Sequence, residues 1–176
     1  SHRTDPDRGK AYFAKVMDAC SRMMLSIVRS PKPVIAAVNG IATAAGCQLA
    51  ATCDLAVASQ DARFATPGVN IGLFCSTPMV ALSRNLSRKA AMEMLLLGDM
   101  VAANEAKELG LVNRVVKPDE TVIAAVELGR RIAEKPKATL KIGKDAFYRQ
   151  LEMPLEEAYA YASAVMVENM LHEEAK

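Results

Sequence analysis

A chain of 176 residues, of which 51% are apolar and 24% charged, has the size and balance of one globular domain with a substantial core. Its net charge of +2, its 5% aromatic content and its lack of tryptophan argue against a nucleic-acid surface, which needs dense positive charge or stacking side chains. No apolar run reaches the length of a membrane span. We therefore expect neither a nucleic-acid partner nor a membrane.

The cysteines are Cys20, Cys47, Cys53 and Cys75, with no CxxC pair among them, and the only two histidines lie near the ends of the chain. This pattern argues against a zinc site or a disulfide framework and favours a reducing compartment. We expect no bound metal. The expected location is the cytoplasm, or the mitochondrial matrix if the source is a eukaryote.

The first predicted elements are a helix and a strand. Apolar residues recur at helical spacing over residues 10–29, which predicts an amphipathic helix that ends before Pro31. Its two adjacent methionines, Met23 and Met24, are predicted to fill the core. Residues 33–38 form a short continuous apolar run, which predicts a buried strand.

The next stretch predicts a turn, a loop of small residues and a helix. An Asn-Gly pair at 39–40 breaks the strand, small residues follow at 42–46, and a helical pattern covers 47–52. The amino end of a helix carries unpaired N–H groups and a partial positive charge. Small side chains let a ligand approach those groups, so this stretch could hold an oxygen that becomes negative during a reaction.

The rest of the chain alternates between short strands and helices. Strands are predicted over 54–58, 63–65 and 111–116, and helices over 76–85, 89–97, 103–109, 121–135 and 138–152, with a last helix that begins near Pro154. The last helix carries an apolar stripe of Leu155, Ala158, Tyr159, Ala162, Val165, Met166 and Met170. A subunit contact and an intramolecular core explain this stripe equally well.

Four segments resemble one family in their order and approximate spacing. They are KPVIAAVNGIATAAGCQLAATCDLAVAS from residue 32, ARFATPGVNIGL from 62, AMEMLLLGD from 91 and ANEAKELGLVNRVV from 103. Together they resemble the enoyl-CoA hydratase/isomerase, or crotonase, family. The stretch TPGVNIGLFCSTP from residue 66 resembles the subgroup of enoyl-CoA hydratase domain-containing proteins more than the hydratases proper.

The resemblance implies an α/β fold in two parts. A crotonase-like ββα spiral is expected over residues 1–116, followed by a helical region of the oligomerisation type over 117–176. Family members begin with further strands and a loop that supplies the first oxyanion donor, and they usually have a C-terminal extension after a helix like the last one here. We find none of these in this sequence, so we expect a fragment or a member that is truncated at both ends.

The resemblance also implies site residues. The second oxyanion donor falls on the backbone N–H of Ala45, and the two catalytic glutamate positions fall on Gln48 and Gly68. Ser76 occupies the position of the water-binding loop. Since an amide cannot take a proton at neutral pH and glycine has no side chain, we expect ordinary hydration to be impaired. The expected substrate-binding residues are Ile41, Ala44, Gly46, Pro67, Leu73 and Cys75.

Some of these residues also have a purely structural interpretation. Cys75 fits a small buried hydrophobic residue, and Ser76 fits a helix N-cap. Asp54 is expected to hold the backbone in place rather than to take part in the chemistry.

The resemblance thus implies an acyl-CoA enzyme, a lyase or isomerase of fatty acid metabolism, which stabilises a thioester enolate. Coenzyme A would be part of the substrate, with no other cofactor. The family implies a homotrimer or a dimer of trimers. The alternative is a non-catalytic acyl-CoA binder or a structural subunit.

Overall fold

The computed structural model describes residues 2–172, which contain six strands and eight α-helices. The strands are β1 Ile35–Val38, β2 Ile41–Thr43, β3 Leu55–Ser59, β4 Arg63–Ala65, β5 Val101–Ala102 and β6 Arg114–Val116. The helices are α1 Lys10–Val28, α2 Ala45–Thr52, α3 Ser76–Asn85, α4 Arg88–Leu97, α5 Ala103–Glu108, α6 Thr121–Ala133, α7 Lys137–Gln150 and α8 Leu155–Met170. Short 3-10 helices cover His2–Thr4, Pro67–Ile71 and Pro118–Glu120.

The strands form two three-stranded sheets that the chain visits in turn. One sheet has the order β1-β3-β6 and is parallel throughout, whereas the other has the order β2-β4-β5, with β5 antiparallel to β4. The chain passes from β1 to β2 and then through α2 before it returns to β3 and β4. This repeated strand, strand, helix path is the ββα spiral that the family resemblance implied.

The core lies between the two sheets and the helices α2 to α5. Its largest fully buried side chains include Phe64, Leu82 and Leu95, and alanines fill most of the remaining positions. Helix α2 packs along α3, and the Asn85 side chain at the end of α3 donates to the Ala51 carbonyl near the end of α2 at 2.8 Å. Helix α3 therefore holds α2 along its length and at its carboxyl end.

The C-terminal helices α7 and α8 pack against each other as a hairpin. On α8, the predicted apolar stripe exposes its large members Leu155, Tyr159, Met166 and Met170. Within residues 2–172, the large side chains of the stripe therefore do not form part of an intramolecular core. None of the described helices is both long and apolar enough to cross a membrane.

Several predicted boundaries were wrong. Ile41–Thr43 form strand β2 beside β4, where a loop of small residues was predicted, and α2 begins at Ala45 rather than at residue 47. Strand β5 was not predicted. Strand β6 begins only at Arg114, and Met23 is exposed whereas Met24 is buried. Strands of two or three residues show no periodicity, because their pairing partners define them.

Candidate functional site

The amino end of α2 follows a residue with an unusual backbone conformation. Ala44 has φ 47° and ψ −113°, a region that residues other than glycine seldom adopt and that costs about 1–3 kcal/mol. The Ala44 amide donates to the Ala65 carbonyl at 3.0 Å, and the Ala44 carbonyl accepts from the Gln48 amide at 2.9 Å. These bonds hold the strained turn in place.

The helix that starts after this turn has an open amino end. Ala45 and Gly46 are its first two residues, and both are exposed. The first N–H groups of an α-helix have no acceptor within the helix, so the amides of these two residues are available at an open surface. The turn that the sequence predicted as an oxyanion seat is therefore not covered by packed side chains.

Gln48 lies one helical turn beyond Ala45, on the same face of α2. The residue is only 5% exposed, and its Oε1 accepts from the Cys20 thiol of α1, with 3.7 Å between the two atoms. The sequence did not single out Cys20 as a site residue. The available signal was its place on the apolar face of α1, but only the packing of α1 on α2 brings it to Gln48.

Gly68 lies in a closed turn that leaves no space for a side chain. It belongs to the 3-10 helix Pro67–Ile71, and its carbonyl accepts from the Leu73 amide at 2.9 Å. A Cβ atom added to Gly68 would lie 2.5 Å from the Leu73 carbonyl oxygen and 2.8 Å from the Cys75 sulfur. The chain therefore fills the space through which a glutamate side chain would leave the backbone at this position.

Cys75 and Ser76 form the start of α3. Cys75 is buried, in line with its structural interpretation. The interpretation of Ser76 as an N-cap is wrong, because the helix begins at Ser76 and the cap position is Cys75. The exposed Ser76 hydroxyl donates to the Phe74 carbonyl at 3.3 Å.

Cys47 is fully buried in the first turn of α2. Burial, with a smaller contribution from the nearby Cys75 thiol, raises the pKa of its thiol to about 12, although a backbone hydrogen bond from Ala65 acts in the opposite direction. Cys47 therefore stays protonated at neutral pH and does not serve as a base.

The predicted site residues lie near two turns. Gly68, a predicted catalytic position, meets the predicted binding residues Leu73 and Cys75 in the closed turn. The hydrogen bond from Ala44 to Ala65 ties the start of α2 to the segment that leads into that turn. Ile41 is 71% exposed on β2, and its role stays a prediction. Two clefts of about 580 Å³ and 310 Å³ border α7, and neither is lined by the residues of this site.

A separate polar cluster joins α7 to the rest of the chain. The Asp54 carboxylate accepts from the Val34 amide at 2.6 Å, from the Lys144 ammonium at 2.7 Å and from the Tyr148 hydroxyl at 2.8 Å. Lys144 also donates to the Ile27 carbonyl at 2.9 Å. Asp54 thus holds backbone and helix in place, in agreement with the structural role expected of it.

No group of three or more potential metal ligands occurs within residues 2–172. The arrangement around α2 is therefore made of backbone amides, one buried amide side chain and thiols. It can polarise an oxygen atom, but neither Gln48 nor Gly68 can take a proton.

Comparisons with a family model and with known proteins indicate the same family. A family model described as enoyl-CoA hydratase/isomerase matches residues 7–176. The enoyl-CoA hydratase domain-containing protein 3, mitochondrial, of Rattus norvegicus is 47% identical over 163 residues, which are 93% of this chain and 54% of that protein. The short-chain-enoyl-CoA hydratase of Clostridium acetobutylicum is 36% identical over 149 residues, which are 82% of this chain and 56% of that protein.

Solved structures agree with this result. A structure of enoyl-CoA hydratase from Mycobacterium smegmatis has a TM-score of 0.91 and 54% identity, and the match covers 97% of this chain and 66% of that one. The human enoyl coenzyme A hydratase domain-containing protein 3 also has a TM-score of 0.91, with 46% identity, and the match covers 98% of this chain and 68% of that one. The chain spans about half the length of the curated relatives that it matches.

Proposed function

The chain belongs to the enoyl-CoA hydratase/isomerase family, and we propose on this basis that it binds an acyl-CoA thioester at the amino end of α2. The thioester oxygen would accept a hydrogen bond from the Ala45 N–H group. Coenzyme A would enter as part of the substrate, with no further cofactor.

The exposed amino end of α2 is the observation that carries this proposal. Ala45 and Gly46 are open to a ligand, and the strained conformation of Ala44 turns the chain into the helix. Fixed N–H donors stabilise the negative oxygen of an enolate, because they are already oriented when the charge develops. Removal of one such donor typically costs about 10²–10³-fold in turnover.

The proton-transfer half of the reaction is expected to be weak. The amide of Gln48 can orient a water molecule but cannot deprotonate it, and Gly68 offers no functional group. Each missing acid–base group typically costs about 10²–10⁴-fold in rate. We therefore propose a site that polarises the thioester but hydrates a conjugated double bond slowly, whether its own reaction is that of a lyase or an isomerase.

An Ala45→Pro variant tests the oxyanion donor, because proline removes the N–H group and is found at the first position of helices. Since proline also restricts the backbone of Ala44 before it, circular dichroism must show that the variant keeps its helix content. Ala45→Ser keeps the N–H group and is the matched control. We expect Ala45→Pro to lower the affinity for crotonyl-CoA, measured by calorimetry, at least about tenfold relative to the control. Equal affinities for the two variants would contradict the proposed donor.

An assay of crotonyl-CoA hydration by the unmodified protein tests the proposal that the site hydrates a conjugated double bond slowly. Turnover in the range typical of enzymes, on the order of 1–10³ per second, would refute the argument from the missing carboxylates.

A non-catalytic acyl-CoA binder or structural subunit is the second candidate. It is favoured by the closed turn at Gly68, where the Leu73 carbonyl takes up the space that a catalytic side chain would need. Thioester binding without any product would support a binder. A lack of binding would reject both the enzyme and the binder and leave only a structural role.

The apolar stripe on α8 bears on the oligomeric state of the protein. The exposed stripe on α8 is available for contact with a second copy, which supports a homotrimer or a dimer of trimers. Sedimentation of the protein and of a Tyr159→Glu variant tests this, because a charge in the contact should dissociate the assembly.

The rat relative's name includes the word mitochondrial, which supports a location in the mitochondrial matrix if the source is a eukaryote.

A further inference from the structure

We propose that the α7–α8 hairpin opens away from the spiral as one unit and that a single polar cluster controls this opening. The cluster consists of the side chains of Asp54, Lys144 and Tyr148, and we call it the Asp54 latch. Opening of this kind is a local equilibrium, in which one part of the chain detaches while the rest stays folded.

The two helices of the hairpin contribute little apolar surface to the core. Both lie wholly within the described residues 2–172, neither has a buried residue, and they pack mainly against each other. Helix α6, in contrast, packs on β1 and β3 and buries Thr121 and Ala125. Since burial of an apolar face supplies most of the free energy that holds a helix to a core, the hairpin is held more weakly than α6.

Open space also borders α7 around the latch. A cleft of about 310 Å³ is lined by all three residues of the Asp54 latch and by Pro33. A second cleft of about 580 Å³ is lined by α7, by α8 and by residues 28–31 at the end of α1. Water can therefore reach surfaces of α7 that close packing would cover in a core helix.

The Asp54 latch joins the hairpin to the spiral across these gaps. The Lys144 and Asp54 side chains are only 7% and 16% exposed, so salt screens their ion pair weakly. The Lys144 ammonium donates to the Asp54 carboxylate at 2.7 Å. Its other two donors bind the carbonyls of Ile27 at 2.9 Å and Lys32 at 3.1 Å, so all three are used. The Tyr148 hydroxyl donates to the second oxygen of the same carboxylate.

The two ends of the hairpin fit a unit that opens as a whole. Residues 134–136 join α6 to α7, and Pro136 precedes α7 with φ −56° and ψ 128°. Proline donates no backbone hydrogen bond, so the helical bonds of α6 are not continued through Pro136. At the turn between α7 and α8, Glu152 pairs with Arg84 of α3, but both side chains are exposed and such pairs contribute little. Release of the Asp54 latch would therefore free both helices together.

Peptide-resolved hydrogen exchange of a Lys144→Met variant tests this inference. Methionine keeps an unbranched side chain but has no ammonium, and it leaves Asp54 with a charge that opening of the hairpin would hydrate. We expect exchange in α7 to become at least about tenfold faster, whereas exchange in α4 and β4 of the spiral should change by less than about twofold. Arg149→Met removes an exposed ion pair on the same helix and is the matched control, with all rates within about twofold of the unmodified protein.

A second variant and a second background keep the test specific. Tyr148→Phe keeps the ring and removes one bond of the Asp54 latch, so a smaller, severalfold acceleration is expected in the same peptides. Circular dichroism checks that each variant is folded. Each comparison is repeated with Tyr159→Glu in every protein, because a second copy on α8 would also slow exchange in the hairpin.

The outcomes decide between an opening hairpin and one that unfolds only with the whole chain. Equal acceleration in α7, α4 and β4 would show that the hairpin is not a separate unit and would overturn the proposal. Unchanged exchange in α7 of Lys144→Met would overturn the control by the Asp54 latch. An acceleration that disappears in the Tyr159→Glu background would do the same, because it would come from lost assembly.

Discussion

Replacement of Gly68 by alanine tests whether the turn before α3 is packed as closely as the structure shows. The added Cβ atom would lie 2.5 Å from the Leu73 carbonyl oxygen and 2.8 Å from the Cys75 sulfur. Gly68 does not have a positive φ, so alanine should cause no backbone strain of its own. Any loss of stability therefore reports the contacts of the added methyl group.

The size of the effect follows from the overlap. To reach an ordinary contact of about 3.4 Å, the Leu73 carbonyl would have to move by about 0.9 Å, although its own amide bonds back to the Gly68 carbonyl. Overpacking of this kind costs about 1–3 kcal/mol. With a urea m-value of about 2 kcal/mol/M, we expect the unfolding midpoint to fall by about 0.5–1.5 M.

Urea unfolding followed by circular dichroism measures this change, with Gly40→Ala as the matched control. Gly40 also lies in a turn without a positive φ, and a Cβ atom there has no neighbour within 4 Å. Alanine at that position should therefore be neutral or slightly stabilising, because it restricts the unfolded chain. Equal midpoints for the two variants would show that the turn at Gly68 has room for a side chain.

Three further predictions concern buried groups. Lys144→Met should lower the free energy of unfolding in urea by about 3–5 kcal/mol, because it leaves Asp54 partly buried without its cation. Arg149→Met, in an exposed ion pair, should lower it by less than about 1 kcal/mol. Similar losses in the two variants would contradict this prediction. Burial and the Asp54 carboxylate raise the pKa of Tyr148, so an alkaline absorbance titration should show a late ionisation step above the ordinary tyrosine range. Its stabilising contribution should be complete below about pH 10 and should be lost as the pH rises above that value, and a Tyr148→Phe variant that keeps the late step would refute the assignment. Burial raises the pKa of Cys47 to about 12, so a thiol reagent should label it only after denaturation, as peptide mass mapping would show.

The sequence was sufficient for the elements that carry their own signals. The continuous apolar run of β1 and the helical periodicity of α1 predicted both elements, and the glycine with φ 70° at residue 98 ends α4 where expected. Strands β2 and β5 have no such signal, because two or three residues form a strand only through their pairing with β4. Fold class therefore followed from the family segments, whereas the short strands required the structure.

Some features of the candidate site could also be predicted from the sequence, whereas others required the structure. The small residues around Ala45 predicted an accessible helix end, and that end is exposed. The contact between Cys20 and Gln48 joins residues 28 positions apart on two helices, so no local pattern could reveal it. The filled space at Gly68 depends on the path of the backbone through Leu73, which the residue types do not specify.

Gln48 and Gly68, the two positions at which the resemblance predicts replaced glutamates, differ in how easily they could hold a carboxylate side chain. At Gln48 the side chain already has the length and the buried position, so a glutamate there would lose mainly its amide donor and would be costly to ionise. At Gly68 the obstacle is the backbone, because a side chain of any kind meets the Leu73 carbonyl before it can reach a substrate. The course of the turn therefore excludes a carboxylate side chain at residue 68 unless the Leu73 carbonyl moves, whereas residue 48 has the space for one.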